Sequence, residues 1–253
     1  MKVLPVPDRP MLRASGEEEL LVVADLHIGL EAHLSWKGFH IPSQTAKMEA
    51  ELLKAAEGVD RLVILGDVKH RVPGSTRQEH REVPRFFESL LQAYPRVSVV
   101  RGNHDAGLDA FLPQGVEMLP ASGALFGDLG MVHGHTWPSA RALGCRVLLS
   151  AHNHSRVSFA GIRGSGPTEP CWLRIPFRDG DGLPEELLVL PAFNPNLGGS
   201  PVNVEGEGML GPVLNSELLD MEEARVYLLD GVALGRLADL WVPGRRYRKR
   251  RVL

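Results

Sequence analysis

At 253 residues, with 43% hydrophobic and 23% charged side chains, the chain is long and apolar enough to bury a substantial core. No apolar run approaches the ~18–20 residues of a membrane span, and the opening MKVLPVPDRP lacks the charged and apolar regions of a secretion signal, so a cytoplasmic protein without membrane contact is expected. A net charge of −3 argues against a nucleic-acid coat of the histone type, yet RRYRKRR (245–251) concentrates six basic residues and no acid, a basic appendage on an acidic body. Two cysteines, Cys145 and Cys171, give no framework of bridges, and two buried thiols are expected, with a disulfide as the lesser alternative.

In chain order, ELLVVAD (19–25) has the apolar run of a buried strand and leads into a long polar loop ending in IPSQ, where Ser43 can cap a helix. In QTAKMEAELLKAAE (44–57), Met48, Leu52 and Ala55 recur at helical spacing, and RLVILGD (61–67) is the next predicted strand. REVPRFFESLLQAY (81–94) gathers Val83, Phe86, Phe87, Leu90 and Leu91 on one face, predicting an amphipathic helix with Pro84 in its first turn. Three further strands are expected in RVSVVRGNHD (96–105), LGMVHGH (129–135) and CRVLLSAHNH (145–154). Strands alternating with helices predict a layered α/β core.

After Ser155 the character changes. GIRGSGPTEP (161–170) reads as an exposed loop between the hairpin-like strands VSFAG and CWLRIPF, and PAFNPNLGGSPVNVEGEGMLGP (191–212) is rich in turn formers. ARVYLLDGVALGRL (224–237) reads as a hairpin. The expected organisation is one domain over 1–244, with its motifs in 20–160 and a β-rich remainder in 161–244, followed by a basic tail at 245–253.

The predicted strands end in DLH (Asp25, His27), GD (Asp67), GNHD (Asn103, His104, Asp105), HGH (His133, His135) and HNH (His152, His154). Each alone is an ordinary polar turn, because Gly, Asn and Asp are common turn formers. In an open α/β sheet, however, ligands bind outside the carboxyl ends of the strands, and six of the ten histidines fall in these stretches. Imidazole, carboxylate and amide oxygen without thiolate suit Mn, Fe, Zn or Co. Seven or eight such groups are too many for one tetrahedral zinc and fit two ions that share a carboxylate.

The ordered series DLH, GD, GNHD, HGH, HNH resembles the five signature blocks of the calcineurin-like metallophosphoesterases. DLHIGLE, GDVKH, PAFNPNLGG and DGVALGRL are similar to an SbcD/Mre11-related, archaeal-type phosphoesterase subfamily. The resemblance implies a four-layer αββα sandwich with a β-rich C-terminal extension. It places one metal on Asp25, His27 and His154 and a second on Asn103, His133 and His152, with Asp67 bridging. His104 would face the phosphate and either protonate the leaving oxygen or stabilise charge on the transferring group. Asp105 is expected to orient His104, and Gly102 to permit the sharp exit from the strand.

The implied cofactors are two divalent ions, manganese first, with iron, zinc, cobalt or nickel as others. The implied activity is hydrolysis of phosphodiester bonds by a hydroxide shared between them, as in a nuclease related to DNA repair. Phosphomonoester or cyclic-nucleotide hydrolysis is the alternative, since one metal core serves all three. A non-catalytic scaffold is opposed by the complete ligand series and by His104. The basic tail reads first as a solvated run of charge, with contact to a phosphate backbone, and Tyr247 stacking on a base, as the alternative; DNA or RNA is the partner that this alternative and the resemblance favour, and a homodimer is compatible with the sequence. Two positions depart from the family pattern: the second block runs on to Lys69 and His70, and the fifth begins with Ala151 where glycine is usual. A positive φ at Ala151 would strain it by roughly 1 kcal/mol. HGH offers either His133 or His135, and the family pattern selects His133.

Overall fold

The computed structural model describes residues 1–161, 164–180 and 182–243, and the basic tail lies outside them. Two strands that open the chain, β1 (Lys2–Pro5) and β2 (Leu12–Ser15), form an antiparallel hairpin with no counterpart among the sequence expectations. β2 pairs with β3 (Leu20–Ala24). The segment read as a polar loop contains α1 (Leu30–Trp36), and α2 (Thr45–Lys54) follows. Ser43 is not the cap of α2: Gln44 holds that position, and the Ser43 hydroxyl accepts from Thr45 N (3.2 Å) and donates to Glu82 (2.8 Å).

The chain continues through β4 (Arg61–Leu65), α3 (Arg77–Ala93), β5 (Arg96–Val100) and β6 (Val116–Leu119). The third helix starts four residues earlier than its apolar face suggests, because Thr76 and Glu79 form a reciprocal capping box. Pro84 therefore lies inside the helix and not in its first turn. β3, β4, β5 and β6 run parallel, completing a six-stranded sheet in the order β1-β2-β3-β4-β5-β6.

The second sheet is built from β7 (Ala124–Phe126), β8 (Leu129–Met131), β9 (Val147–Ser150), β10 (Arg156–Gly161), β11 (Gly164–Pro176), β12 (Glu186–Val189), β13 (Arg225–Leu228) and β14 (Ala233–Arg236), with a one-turn helix α4 (Ala140–Leu143) between β8 and β9. Its order is β14-β13-β11-β12-β9-β8-β7, with β10 paired to β11. Most of the stretch read as a Gly/Pro-rich loop is strand, since β11 begins at Gly164 and its register with β10 reaches Gly161.

Alternation of side chains sets the layers. On β4, Leu62 and Ile64 face α2 and α3, whose Met48, Leu52, Val83, Phe86, Phe87 and Leu90 cover that side of the first sheet. Val63 and Leu65 point the other way, toward Leu129, Met131, Leu149 and Trp172 of the second sheet. Leu148, Leu173, Leu187 and Val226 emerge on the far face, where α4 and loop residues such as Val213, Leu214 and Leu219 close the fourth layer. That outer layer is mostly loop, so the helices are concentrated on one side. Both cysteines are buried and unpaired. No helix among the described residues is long and apolar enough to cross a membrane.

Candidate metal centre

The parallel registers bring the carboxyl ends of β3, β4 and β5 side by side, with Ala24 opposite Leu65 and Leu65 opposite Val100. In the second sheet β8, β9 and β12 are likewise parallel, and their ends lead to His133, to His152 and His154, and to the segment beginning at Pro191. Leaving a strand so abruptly distorts the backbone. Of the six non-glycine residues with positive φ among the described residues, five are Asp25, His27, Asp67, His152 and His154. Left-handed backbone costs an L-residue about 1–2 kcal/mol, and such strain persists only where its surroundings over-determine it. Here Asp25 N donates to Gly66 O (3.2 Å) and His27 N to Asp67 O (2.8 Å), tying two strained loops together.

Three groups of side chains could hold a metal ion: Asp25, His27, Asp67 and His154, and Asp67, His133 and His152, which share one carboxylate, and His27, His70 and His104, which lacks one. Asp67 Oδ2 lies 3.4 Å from both His27 Nε2 and His133 Nε2. His27 Nε2 is 3.3 Å from His154 Nε2, and His133 Nε2 is 3.2 Å from His152 Nδ1 and 3.1 Å from Asn103 Oδ1. Metal–nitrogen bonds of about 2.1 Å at right angles set donor atoms about 3 Å apart, so these spacings fit two ligand sets. His135 stands outside all three groups, its ring 5.2 Å from that of His133.

The donor states fit cations as well. Asp25 is fully buried, and no hydrogen-bond donor reaches either of its oxygens, with His154 Nε2 at 3.5 Å and His133 Nδ1 at 3.7 Å. A buried carboxylate without partners is untenable unless a positive charge faces it. Burial holds His27 well below the usual imidazole range, and burial together with the His133 charge brings His152 to about 4, leaving bare ring nitrogens. Burial opposes charge on His133 and His154 too, but Asp67 and Asp25 raise His133 to about 9, and Asp25 raises His154. Those protons occupy positions that a metal ion would take. His133 donates from Nδ1 to Leu65 O (2.8 Å), which aims its Nε2 at the cluster.

Glycines set the close approaches. A Cβ on Gly66 would stand 2.6 Å from His133 Nδ1, and one on Gly102 would stand 2.3 Å from both Asp67 N and Asp67 Oδ1. Gly102 is thus required by proximity to Asp67 and not by a left-handed turn. Ala151 has no positive φ, so its substitution for the usual glycine introduces no backbone strain.

The Asp105 carboxylate makes no hydrogen bond to His104. Its buried carboxylate accepts from Asp67 N (2.9 Å), Val68 N (2.8 Å) and Gly102 N (2.8 Å), which fixes the loop carrying Asp67. The expectation that it orients His104 fails because these three N–H groups lie between the adjacent loops and take its oxygens. His104 is held instead by its Nδ1–H donating to His70 O (2.6 Å) and by its backbone N–H donating to Asp67 Oδ1 (2.8 Å). Its Nε2 faces Asp67 Oδ2 at 4.0 Å.

His70, unassigned in the sequence, belongs to this wall: its Nδ1 is 3.2 Å from His27 Nδ1, and burial followed by the charges of His104 and His33 brings it to about 4. Lys69 is buried and donates to Arg71 O (2.6 Å) and Gly74 O (3.0 Å). The PAFNPN segment clamps the DLH loop from the far side. Phe193 N donates to Ala24 O (2.8 Å) and Asn194 Nδ2 to Leu26 O (2.8 Å), while a Cβ on Gly199 would overlap His154 O at 1.8 Å.

Residues 19–183 match the family model described as calcineurin-like phosphoesterase. Among solved structures, nuclease MPE of Pseudomonas putida is similar at 21% identity and a TM-score of 0.53, covering 90% of this chain and 98% of its own. The phosphoesterase Yfce of E. coli is 21% identical, with a TM-score of 0.40 and coverage of 85% and 96%. No curated protein matches the chain. The family is dinuclear-metal dependent, and the shared carboxylate between two donor groups accords with that. With its matched region spanning most of both sheets, the chain belongs to the calcineurin-like phosphoesterases and is a metal-dependent hydrolase of phosphoester bonds.

Proposed function

We propose that this protein is a nuclease of the SbcD/Mre11-related kind that cleaves phosphodiester bonds in DNA or RNA, with a role in DNA repair. The observation that carries the metal chemistry is Asp67 Oδ2, equidistant at 3.4 Å from one imidazole of each donor group. Asp25, His27 and His154 would hold one ion and Asn103, His133 and His152 the other, with Asp67 common to both groups. A donor set of imidazole, carboxylate and amide without thiolate suits manganese as it does iron, zinc or cobalt, and manganese is the ion we propose. When bound, two such cations would supply fixed positive charge for phosphoryl oxygens and acidify a water near neutral pH.

The chain's own residues do the rest. His104, with its Nδ1–H committed to the His70 carbonyl, donates from Nε2 only as the doubly protonated ring, and that form is the one suited to protonating a leaving oxygen. Asp105 holds the Asp67 loop in place through three backbone bonds. The nuclease reading is supported by the similarity to the Pseudomonas putida nuclease MPE and by the basic residues at 245–251, which offer several phosphate contacts. One catalytic unit over 1–244 is supported by the parallel pairing of β12, from the later half, with β9, from the earlier.

Hydrolysis measured across p-nitrophenyl mono- and diesters, cyclic nucleotides, DNA and RNA, with Mn, Zn, Co and Ni in turn, tests this reading. Manganese-dependent cleavage of DNA or RNA is expected. Turnover confined to monoesters or cyclic nucleotides would replace it with the corresponding small-substrate reading.

A further inference from the structure

One residue beyond His70, whose ring packs against His27 of the candidate centre, stands a cation without a counter-charge among the described residues. Arg71 follows His70 directly, and its guanidinium has no ion-pair or hydrogen-bond partner among the described residues. Instead its Cζ lies 5.0 Å over the ring of Trp36, the last residue of α1. That indole remains 64% exposed, as does Phe39 three residues on. A guanidinium stacked through its face keeps its N–H edge free, which is the edge that binds phosphate oxygens.

The loop beneath Arg71 is held at several points. Glu79 accepts from His70 N (3.0 Å) and Arg71 N (2.6 Å), and buried Lys69 donates to the carbonyls of Arg71 (2.6 Å) and Gly74 (3.0 Å). His104 donates to the carbonyl of His70 (2.6 Å), so the reacting wall and the Arg71 backbone belong to one hydrogen-bonded frame. A large exposed aromatic surface with an unpaired cation, both on elements that leave the metal centre, has no role in hydrolysing an isolated phosphoester.

We infer that Arg71 and Trp36 form a subsite for the nucleotide adjoining the scissile phosphate, Arg71 taking the neighbouring phosphate and Trp36 stacking on an unpaired base. The inference rests on the nuclease reading above and specifies its substrate as a single strand, because only an unpaired base can present its face to an indole. Continuity with the centre runs from His27 through His70, whose Nδ1 atoms are 3.2 Å apart, to Arg71.

Fluorescence anisotropy with a labelled single-stranded oligonucleotide tests the subsite, using the full manganese-loaded chain in the His104→Ala background so that the strand stays intact. Adding Trp36→Ala should weaken binding about 5- to 160-fold, with Trp36→Phe restoring most of it. Trp36→Ala should make no difference with an oligomer of abasic residues. Adding Arg71→Ala should lower the log–log salt slope by about 0.7, the share of one phosphate contact on a single strand, whereas Trp36→Ala should leave the slope alone.

Affinities within twofold of the parent for both variants would overturn the subsite. So would an equal Trp36 dependence with duplex, or a Trp36→Ala effect confined to the mass of a homodimer in sedimentation. Cleavage by the wild-type chain separates the two levels. Wild-type cleavage with indifferent variants removes the subsite alone, while failure to cut or bind any nucleic acid removes the nuclease reading and the subsite with it.

Discussion

Gly102→Ala removes no candidate ligand, yet it should disable the centre. The added Cβ would lie 2.3 Å from both Asp67 N and Asp67 Oδ1, whereas carbon atoms in contact settle at about 3.5–4.0 Å. Something must therefore move by about 1 Å. Neither neighbour is the free end of a flexible side chain: Asp67 N is bonded to Asp105, and Asp67 Oδ1 to the backbone N–H of His104. Displacement falls on the carboxylate that both donor groups share. A misplacement of about 1 Å costs on the order of 10²-fold in turnover, and overpacking costs about 1–3 kcal/mol in stability. At this chain length that is a fall of roughly 2–4 °C in melting temperature per kcal/mol. The assays are metal content after desalting, thermal melting and hydrolysis of a p-nitrophenyl diester. Gly208→Ala, where an added Cβ meets nothing within 4 Å, is the control. Two ions and wild-type turnover in Gly102→Ala would refute the argument that proximity to Asp67 is what requires the glycine.

His104→Ala should lower turnover by about 10²- to 10⁴-fold while metal content stays near wild type, and the loss should shrink with p-nitrophenolate as leaving group if proton donation dominates. Equal losses for good and poor leaving groups would assign the ring to charge stabilisation instead. Asn194→Ala leaves the buried Leu26 carbonyl without its 2.8 Å donor, so a loss of about 1–3 kcal/mol is expected, with weaker metal retention on the Asp25 side; unchanged denaturant midpoints would contradict it. Removing residues 245–253 should flatten the salt dependence of nucleic-acid binding by about 0.7–0.9 in log–log slope per lost phosphate contact, and binding identical at every salt concentration would make the tail a solvated appendage.

The strand ends were legible because each motif follows a strongly β-branched or aliphatic run, and parallel pairing of such runs places their carboxyl ends together. The partners of those motifs were not. Asp105 sits beside His104 in sequence, but a buried carboxylate goes to the nearest free N–H groups, and these belong to Asp67, Val68 and Gly102. His70 lies three residues beyond a strand-end aspartate, and only the turn after Asp67 folds it back against His27. Glu79 offered a signal: three residues after Thr76, it marks a helix start ahead of the apolar face. Ala151 shows the reverse case, since the left-handed backbone falls on His152 and His154 and not on it.

The central claim is that two cations share Asp67. Anomalous diffraction from crystals of the manganese-loaded protein, recorded at the manganese edge, measures this directly. The account predicts two peaks flanking Asp67 Oδ2, one among Asp25, His27 and His154 and one among Asn103, His133 and His152, with at least one of them absent in Asp67→Asn. A single peak, or a peak among His27, His70 and His104 in place of either, would contradict it.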